Sequence, residues 1–303
     1  MSETPSPPVA PLFEPGFVRV LESLTLAGRR VPAGRAAGQW RSRSGGSSVE
    51  FSDYRTYAPG DDFRRIDWNA YARLERLFVR LYRAEEDLNL AVVLDASASM
   101  AWGKPSKARL AAQLAGALAF IAVQSGDRVE IAACREARVV ERLPALRAEA
   151  AVLSAWRQLE RLEFGGATDL NATLAACAGY LRGAGVTVIV SDLLSPTGYQ
   201  HGIDALLGRR QDVLLVHVLA PDELQPPADL LGEWRLLDSE PLAPLDATIT
   251  PGVLRAYRRL LEEFGREAAD FCRRRGLTYI QIRSDVSLQD LLLRTFRSAG
   301  ILV

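Results

Sequence analysis

The sequence predicts an α/β fold: a doubly wound, mostly parallel sheet, preceded by an N-terminal extension. Three observations carry this. From Asn89 onward, short apolar runs alternate with helix-like segments. The runs "LAVVL", "VTVIV" and "VLLVHVLA" are continuously apolar, as strands covered on both faces are. The residues that break the pattern, Asp95 and Asp192 above all, stand where strands end. In open sheets of this kind, ligands bind beyond the carboxyl ends of the strands.

In chain order, residues 1–16 are Pro-rich and polar and read as a disordered tail. They carry neither the basic head nor the apolar run of a secretory signal. Residues 17–88 form the extension: a helix over Phe17–Leu26, a Gly/Ser/Arg-rich loop over Gly28–Ser48, a dense Arg/Asp segment, and a strand over Leu77–Glu85. Residues 89–303 form the main α/β domain. Its first strand is Asn89–Leu94, followed by a helix over Lys107–Gln124 that Ser125-Gly126 ends. Arg128–Cys134 and Ala137–Leu143 are close enough for a hairpin. Helices over Ala148–Leu162 and Leu170–Leu181 flank the Gly-rich "FGGAT". Strand Val186–Asp192, helix Tyr199–Leu207 and strand Asp212–Ala220 come next. A long amphipathic helix over Leu254–Arg274, strand Leu277–Ile282 and a last helix over Leu288–Ser298 complete the chain.

Composition excludes several function classes. Lys+Arg and Asp+Glu are equal at 37 each, so no net charge draws the chain to nucleic acid or an anionic membrane. The longest apolar run, Leu110–Val123, is shorter than the ~20 residues needed to span a bilayer, so the expected location is cytoplasmic. The three cysteines, Cys134, Cys177 and Cys272, form no CxxC and read as small buried hydrophobes. No phosphate-binding glycine motif is present. His217 lies inside a strand and reads as a core residue, His201 as a helix-surface one. The arginines at Arg209–Gln211 and Arg273–Arg275 fall at helix C-termini, where they complement the dipole.

Oxygen-bearing side chains converge instead. Three loops at strand ends offer Asp95-x-Ser97-x-Ser99, Thr168-Asp169 and Asp192. Hard divalent cations such as Mg²⁺ or Mn²⁺ take oxygen ligands. Neutral hydroxyl ligands leave the ion with positive charge, so a carboxylate from another molecule can complete it. Ser97 has no histidine in company to serve as a base, which removes the Ser-His-Asp arrangement. Taken one at a time, the pieces also fit helix caps and turns, with Asp169 capping the helix from Leu170. As a set they resemble the metal-ion-dependent adhesion site of von Willebrand factor A-like domains. The resemblance implies Ser97, Ser99 and Thr168 as direct ligands, and Asp95 and Asp192 as ligands or water-bridged anchors. The third loop departs from the common pattern, with "SDLL" in place of Thr-Asp-Gly.

A second signal is "YRTYAPGDDFRRIDWNAYAR". Arg forks pair bidentately with carboxylates, so one reading is an Arg–Asp network tying this segment to the main domain. The other is an exposed charged face for a partner. Asp61 or Asp62, after the Pro59-Gly60 turn, is placed to cap the segment beyond it. The residues Arg55, Tyr57, Gly60, Asp61, Asp62, Arg65, Ile66, Asp67, Trp68, Ala72 and Arg73, together with "VRLYRAEED" and the Asp-x-Ser-x-Ser strand, resemble the bacterial domain of unknown function 58 family. The likeness covers roughly residues 45–300. It implies the short type without membrane helices, and a MoxR-type AAA+ ATPase as partner in chaperone-like maturation of client proteins.

Together these give a non-enzymatic, metal-dependent interaction module whose Mg²⁺ or Mn²⁺ is completed by an acidic residue of a protein partner. Two alternatives stand beside it. A metal-dependent hydrolase would need a general base, for which Asp169 is the one good candidate. A metal-free scaffold would satisfy Asp95 internally.

Overall fold

The computed structural model describes residues 11–27, 48–58, 66–85, 88–237 and 244–303. The chain divides into two units, residues 42–87 and the remainder. The larger unit holds a six-stranded sheet built from β3 (Asn89–Asp95), β4 (Arg128–Arg135), β5 (Arg138–Leu146), β6 (Gly185–Ser191), β7 (Gln211–Leu219) and β10 (Thr278–Arg283). Their order across the sheet is β10-β7-β6-β3-β4-β5. All neighbours are parallel except the β4–β5 hairpin. The chain leaves β3 toward β4 and later returns to β3's other side with β6. Sheets of this kind bind ligands at such a reversal, here the carboxyl ends of β3 and β6.

Helices cover both faces, as expected. On one face α3 (Lys107–Gln124) and α4 (Glu149–Glu160) pack with Val92, Leu94, Val188, Val190 and Val216. The last helix joins them, starting as α9 (Leu288–Asp290) and widening into a π-turn over Leu291–Phe296. On the other face α5 (Leu170–Tyr180), α6 (Gln200–Gly208) and the C-terminal half of α8 (Pro251–Arg275) pack with Val93, Ile189 and Leu215. Alternate residues of each strand feed alternate cores, which is why these strands are apolar throughout. All three cysteines are buried and free. In the larger unit, a short helix and a hairpin lack a sequence signal. A short α7 (Pro221–Leu224) comes after β7, and an exposed hairpin pairs β8 (Gly232–Leu236) with β9 (Leu245–Ile249).

The N-terminal boundaries differ from those expected. Within the expected tail, residues 11–16 are ordered, and with the next helix they belong to the larger unit, not to the extension. The helix is also shorter than expected, α1 (Val18–Glu22). The reason is apolar area: Leu12, Phe13, Leu21 and Leu24 are buried in the α3/α4 core. Gly116 of α3 makes the room, since a Cβ there would meet Leu12 Cδ2 at 2.8 Å and Trp156 Cδ1 at 3.0 Å. Trp156 Nε1 donates to the Gly116 carbonyl at 3.0 Å and Phe13 packs edge-on against the same ring. Leu12 N–H donates to Glu160 at 2.7 Å and Gln113 donates to the Leu12 carbonyl at 2.8 Å. Residues 25–27 then pair with 301–303 through main-chain hydrogen bonds.

The smaller unit pairs β1 (Ser48–Thr56) antiparallel with β2 (Phe78–Glu85), with α2 (Trp68–Leu74) between them in sequence. Of these the sequence predicts β2, but neither β1 nor α2. Asp67 is buried and caps α2: its Oδ1 accepts from Asn69 N–H at 2.9 Å and Ala70 N–H at 3.1 Å.

Candidate functional site

The crevice at the ends of β3 and β6 gathers most of the expected residues. Asp95, Ser97, Ser99, Thr168 and Asp192 are 2%, 0%, 8%, 7% and 0% exposed. Asp95 ends β3, and its Oδ1 accepts from Ser97 N–H at 3.0 Å. The turn after it sets Ser97 Oγ 3.0 Å from Ser99 Oγ. The 163–168 loop docks on this turn through Gly165 N–H to the Ala96 carbonyl and Ala98 N–H to the Gly166 carbonyl. Gly166 has φ +72°, and a Cβ there would lie 2.4 Å from Glu136 Oε1, so the backbone favours glycine and any other residue would displace the Glu136 side chain. The docking brings the Thr168 hydroxyl to 3.4 Å from both Asp95 oxygens.

The third loop brings Ser191, besides the expected Asp192, to the site. Successive strand residues face opposite sides. The β3–β6 register pairs Leu94 with Val190, so Asp95 lies beside Ser191. The Ser191 hydroxyl donates to Asp95 Oδ2 at 2.6 Å and accepts from Leu193 N–H at 2.9 Å. Asp192 is instead held by Lys107, the fully buried first residue of α3, at 2.7 Å; its Oδ1 accepts from Leu194 N–H at 3.1 Å. Lys107 also pairs with Glu223 of α7 at 2.6 Å, and Glu223 accepts from Ala220 N–H at 2.6 Å. Ser191, Lys107 and Glu223 are thus site residues that sequence reasoning missed. Ser191 was legible in the strand period, while Lys107 and Glu223 carry no local signal.

The register extends the site into a row. Ser191 pairs with His217 and His217 with Gln281, while Cys134 flanks Asp95 on the other side. Cys134, Asp95, Ser191, His217 and Gln281 therefore lie side by side on one face of the sheet. His217 is buried as expected but only half satisfied. Its Nδ1 lies 2.8 Å from the Tyr279 hydroxyl, while Nε2 has no hydrogen-bond partner among the described residues.

Among the described residues, the hydrogen bonds to Asp95 come from neutral groups, hydroxyls and an amide. Burial, and then the Asp192 charge, raise its pKa; the bonds from Ser191 and Ser97 oppose them. A buried carboxylate with no counter-charge among the described residues, and with three hydroxyls beside it, fits a hard cation in donor type. Among the described residues, no group of three or more His, Cys, Asp and Glu side chains could hold a metal ion by itself. A cation here would depend on the hydroxyls of Ser97, Ser99 and Thr168 with Asp95.

Asp169, the candidate base of the hydrolase alternative, caps α5. Its Oδ1 accepts from Ala172 N–H at 3.0 Å and from the Thr197 hydroxyl at 2.7 Å. In the second motif, Asp67 caps α2. Trp68 is 61% exposed, Arg73 is exposed and Tyr57 half-buried. Gly60, Asp61, Asp62, Arg65 and the side chain of Arg55 lie outside the described residues. No described helix is long and apolar enough to cross a membrane.

The family model described as "Protein of unknown function DUF58" matches residues 53–263. Uncharacterized proteins of Mycobacterium bovis and Mycobacterium tuberculosis are 27% identical over 277 residues, covering 90% of this chain and 86% of theirs. Among solved structures, the conserved hypothetical protein BatB from Bacteroides thetaiotaomicron matches at 14% identity. It covers 70% of this chain and 98% of that one, with a TM-score of 0.42. The SpRpn10 VWA domain matches at 12% identity, covering 69% of this chain and 95% of that one, with a TM-score of 0.36.

Proposed function

From the premise that the chain belongs to the DUF58 family, we propose that its larger unit is a von Willebrand factor A-like interaction module. It binds a protein partner through a divalent cation. The observation that carries this reading is the meeting of Asp95, Ser97, Ser99 and Thr168 at the sheet's reversal point. Asp95 and the three hydroxyls hold Mg²⁺ or Mn²⁺. The bound ion supplies a Lewis-acidic position for a carboxylate from outside the chain. This chain's residues orient that position: Ser191 fixes the Asp95 rotamer and Gly166 seats the Thr168 loop. The function is recognition, with no chemical step. The partner fitting the family resemblance is a MoxR-type AAA+ ATPase, working with this protein in chaperone-like maturation of clients.

The test is a thermal melt of wild type and Asp95→Ala, each with EDTA and with millimolar Mg²⁺ or Mn²⁺. It is paired with binding to a purified MoxR-type ATPase from the same genome. A ligand at about 100 times its dissociation constant adds ~2.7 kcal/mol. A metal-dependent rise in wild type that Asp95→Ala lacks, with ATPase binding lost in EDTA, is the expected result. ATPase binding that persists in EDTA refutes the metal-bridged mechanism, and equal melts throughout favour the metal-free scaffold.

A further inference from the structure

We infer that Cys134 and Cys177 form an oxidisable dithiol, which hydrogen peroxide closes to a disulfide, and that closure stiffens the loops carrying Ser97 and Thr168. The inference is independent of any metal. Cys134 lies on β4 and Cys177 on α5, and their sulfurs are 3.8 Å apart, in side chains that are each 2% exposed. Sulfurs already in contact need an approach of only about 2 Å to bond. Cys272, the third thiol, has no sulfur beside it among the described residues.

Main-chain bonds fasten this pair to the crevice. Cys134 lies beside Asp95 in the β3–β4 register, and its carbonyl accepts from Ala96 N–H at 2.8 Å. Two residues further on, Glu136 N–H donates to the Ala167 carbonyl at 2.9 Å. Cys177 belongs to the helix that Asp169 caps, directly after Thr168. A bond between the sulfurs therefore ties together the two segments that hold the Asp-x-Ser-x-Ser turn and the Thr168 loop, and it removes freedom from both.

Peroxide reaches the thiols by local opening. β5 is an edge strand, and its pairing with β4 shifts register between Ala133 and Cys134. The turn of that hairpin is made by Glu136 and Ala137 at φ +52° and +58°, a region that favours glycine. The Cys134 thiol donates to Cys177 and lowers its pKa; the Arg142 charge adds to this, while burial and Glu130 oppose it. Cys177 is thus the attacking thiolate. Its sulfur bonds to one peroxide oxygen, the O–O bond breaks, and the departing oxygen takes up a proton and leaves as water, giving a sulfenic acid. Cys134 then gives up its proton and attacks the Cys177 sulfur; the S–O bond breaks and a second water leaves. Two thiols and one peroxide become one disulfide and two waters.

The experiment exposes the reduced full chain to hydrogen peroxide, quenches with catalase, then unfolds, alkylates and maps the peptides by mass spectrometry. A Cys134–Cys177 cross-link within one chain is expected in wild type and in Cys272→Ala. In wild type Cys272 should still be alkylated, and dithiothreitol should restore all three thiols. Amide hydrogen exchange then compares reduced and oxidised wild type over residues 95–99 and 163–169. Oxidation is expected to slow exchange there by about tenfold, and to leave peroxide-treated Cys177→Ala unchanged. Wild type carries the test by itself if that variant folds poorly. If all three thiols of wild type still alkylate, or if the cross-links run between chains or to Cys272, the dithiol is overturned. If the disulfide forms and exchange in both loops stays the same, its link to the site is overturned.

Discussion

Acidification should destabilise this fold through His217. Its imidazole is 0% exposed, Nδ1 is 2.8 Å from the Tyr279 hydroxyl, and Nε2 has no described partner. Burial pushes its pKa down from 6.5 to about 4; the Lys107 charge works in the same direction and the Asp192 charge opposes it. The folded state thus binds fewer protons than the unfolded one between those values. Stability is intact above pH 6.5 and is lost as pH falls toward 4. The whole displacement is worth roughly 3 kcal/mol, and about 2 kcal/mol of it has gone by pH 5. The assay is urea unfolding from pH 7.5 to 4.5 on wild type and His217→Asn, which keeps a polar atom for Tyr279 and removes the titration. Asp95 has a raised pKa and so contributes the opposite slope, but it is common to both proteins and cancels in their difference. The expected result is a gap that closes, or reverses, by about 2 kcal/mol between pH 7 and pH 5. Parallel curves would refute the argument.

The geometry sets three further outcomes. Asp95→Asn removes a buried carboxylate that has no counter-charge, so in EDTA at pH 7 its melting temperature should rise above wild type while any metal-dependent increment vanishes. Ser191→Ala deletes the 2.6 Å bond to Asp95 and the acceptor for Leu193 N–H; chemical denaturation should show a loss of about 1–3 kcal/mol. Leu21→Ala, at 0% exposure in the α3/α4 core, should cost about 2–5 kcal/mol in the main unfolding transition. A loss confined to a separate transition would place residues 11–27 outside the larger unit.

The α/β alternation was legible because it rests on period alone. Lys107–Gln124 matches α3 to the residue, and Ser125-Gly126 marks its end. Asp95, Ser97, Ser99 and Thr168 were legible for a related reason: each stands at the end of an apolar run or in a glycine loop. The features that were not legible depend on pairing between distant segments. Nothing near Lys107 announces Asp192, which lies 85 residues away. Ser191 was passed over for its neighbour because a carboxylate stands out in a sequence and a hydroxyl does not. Only the register with β3 decides which of the two faces Asp95. Leu12 and Phe13 sit in a proline-rich stretch, where composition spoke for disorder and two side chains with a glycine-made slot on α3 outweighed it. The β8–β9 hairpin is exposed on every residue of β8, so no buried face imprinted a period on it.

The row Asp95, Ser191, His217 and Gln281 also acts as a gauge of correct assembly. These residues come from strands that enter the sheet by separate crossovers, and they meet only when β3, β6, β7 and β10 are all in step. A slip of one residue between β3 and β6 would turn the apolar set of one strand against the wrong core. It would also leave the Asp95 carboxylate buried opposite a valine or a second acid, without the Ser191 hydroxyl. The same polar residues that make the crevice useful therefore raise the free energy of its nearest misfolded competitors. In a sheet whose strands are otherwise nearly interchangeable runs of Val, Leu and Ile, they mark the one alignment that can be completed.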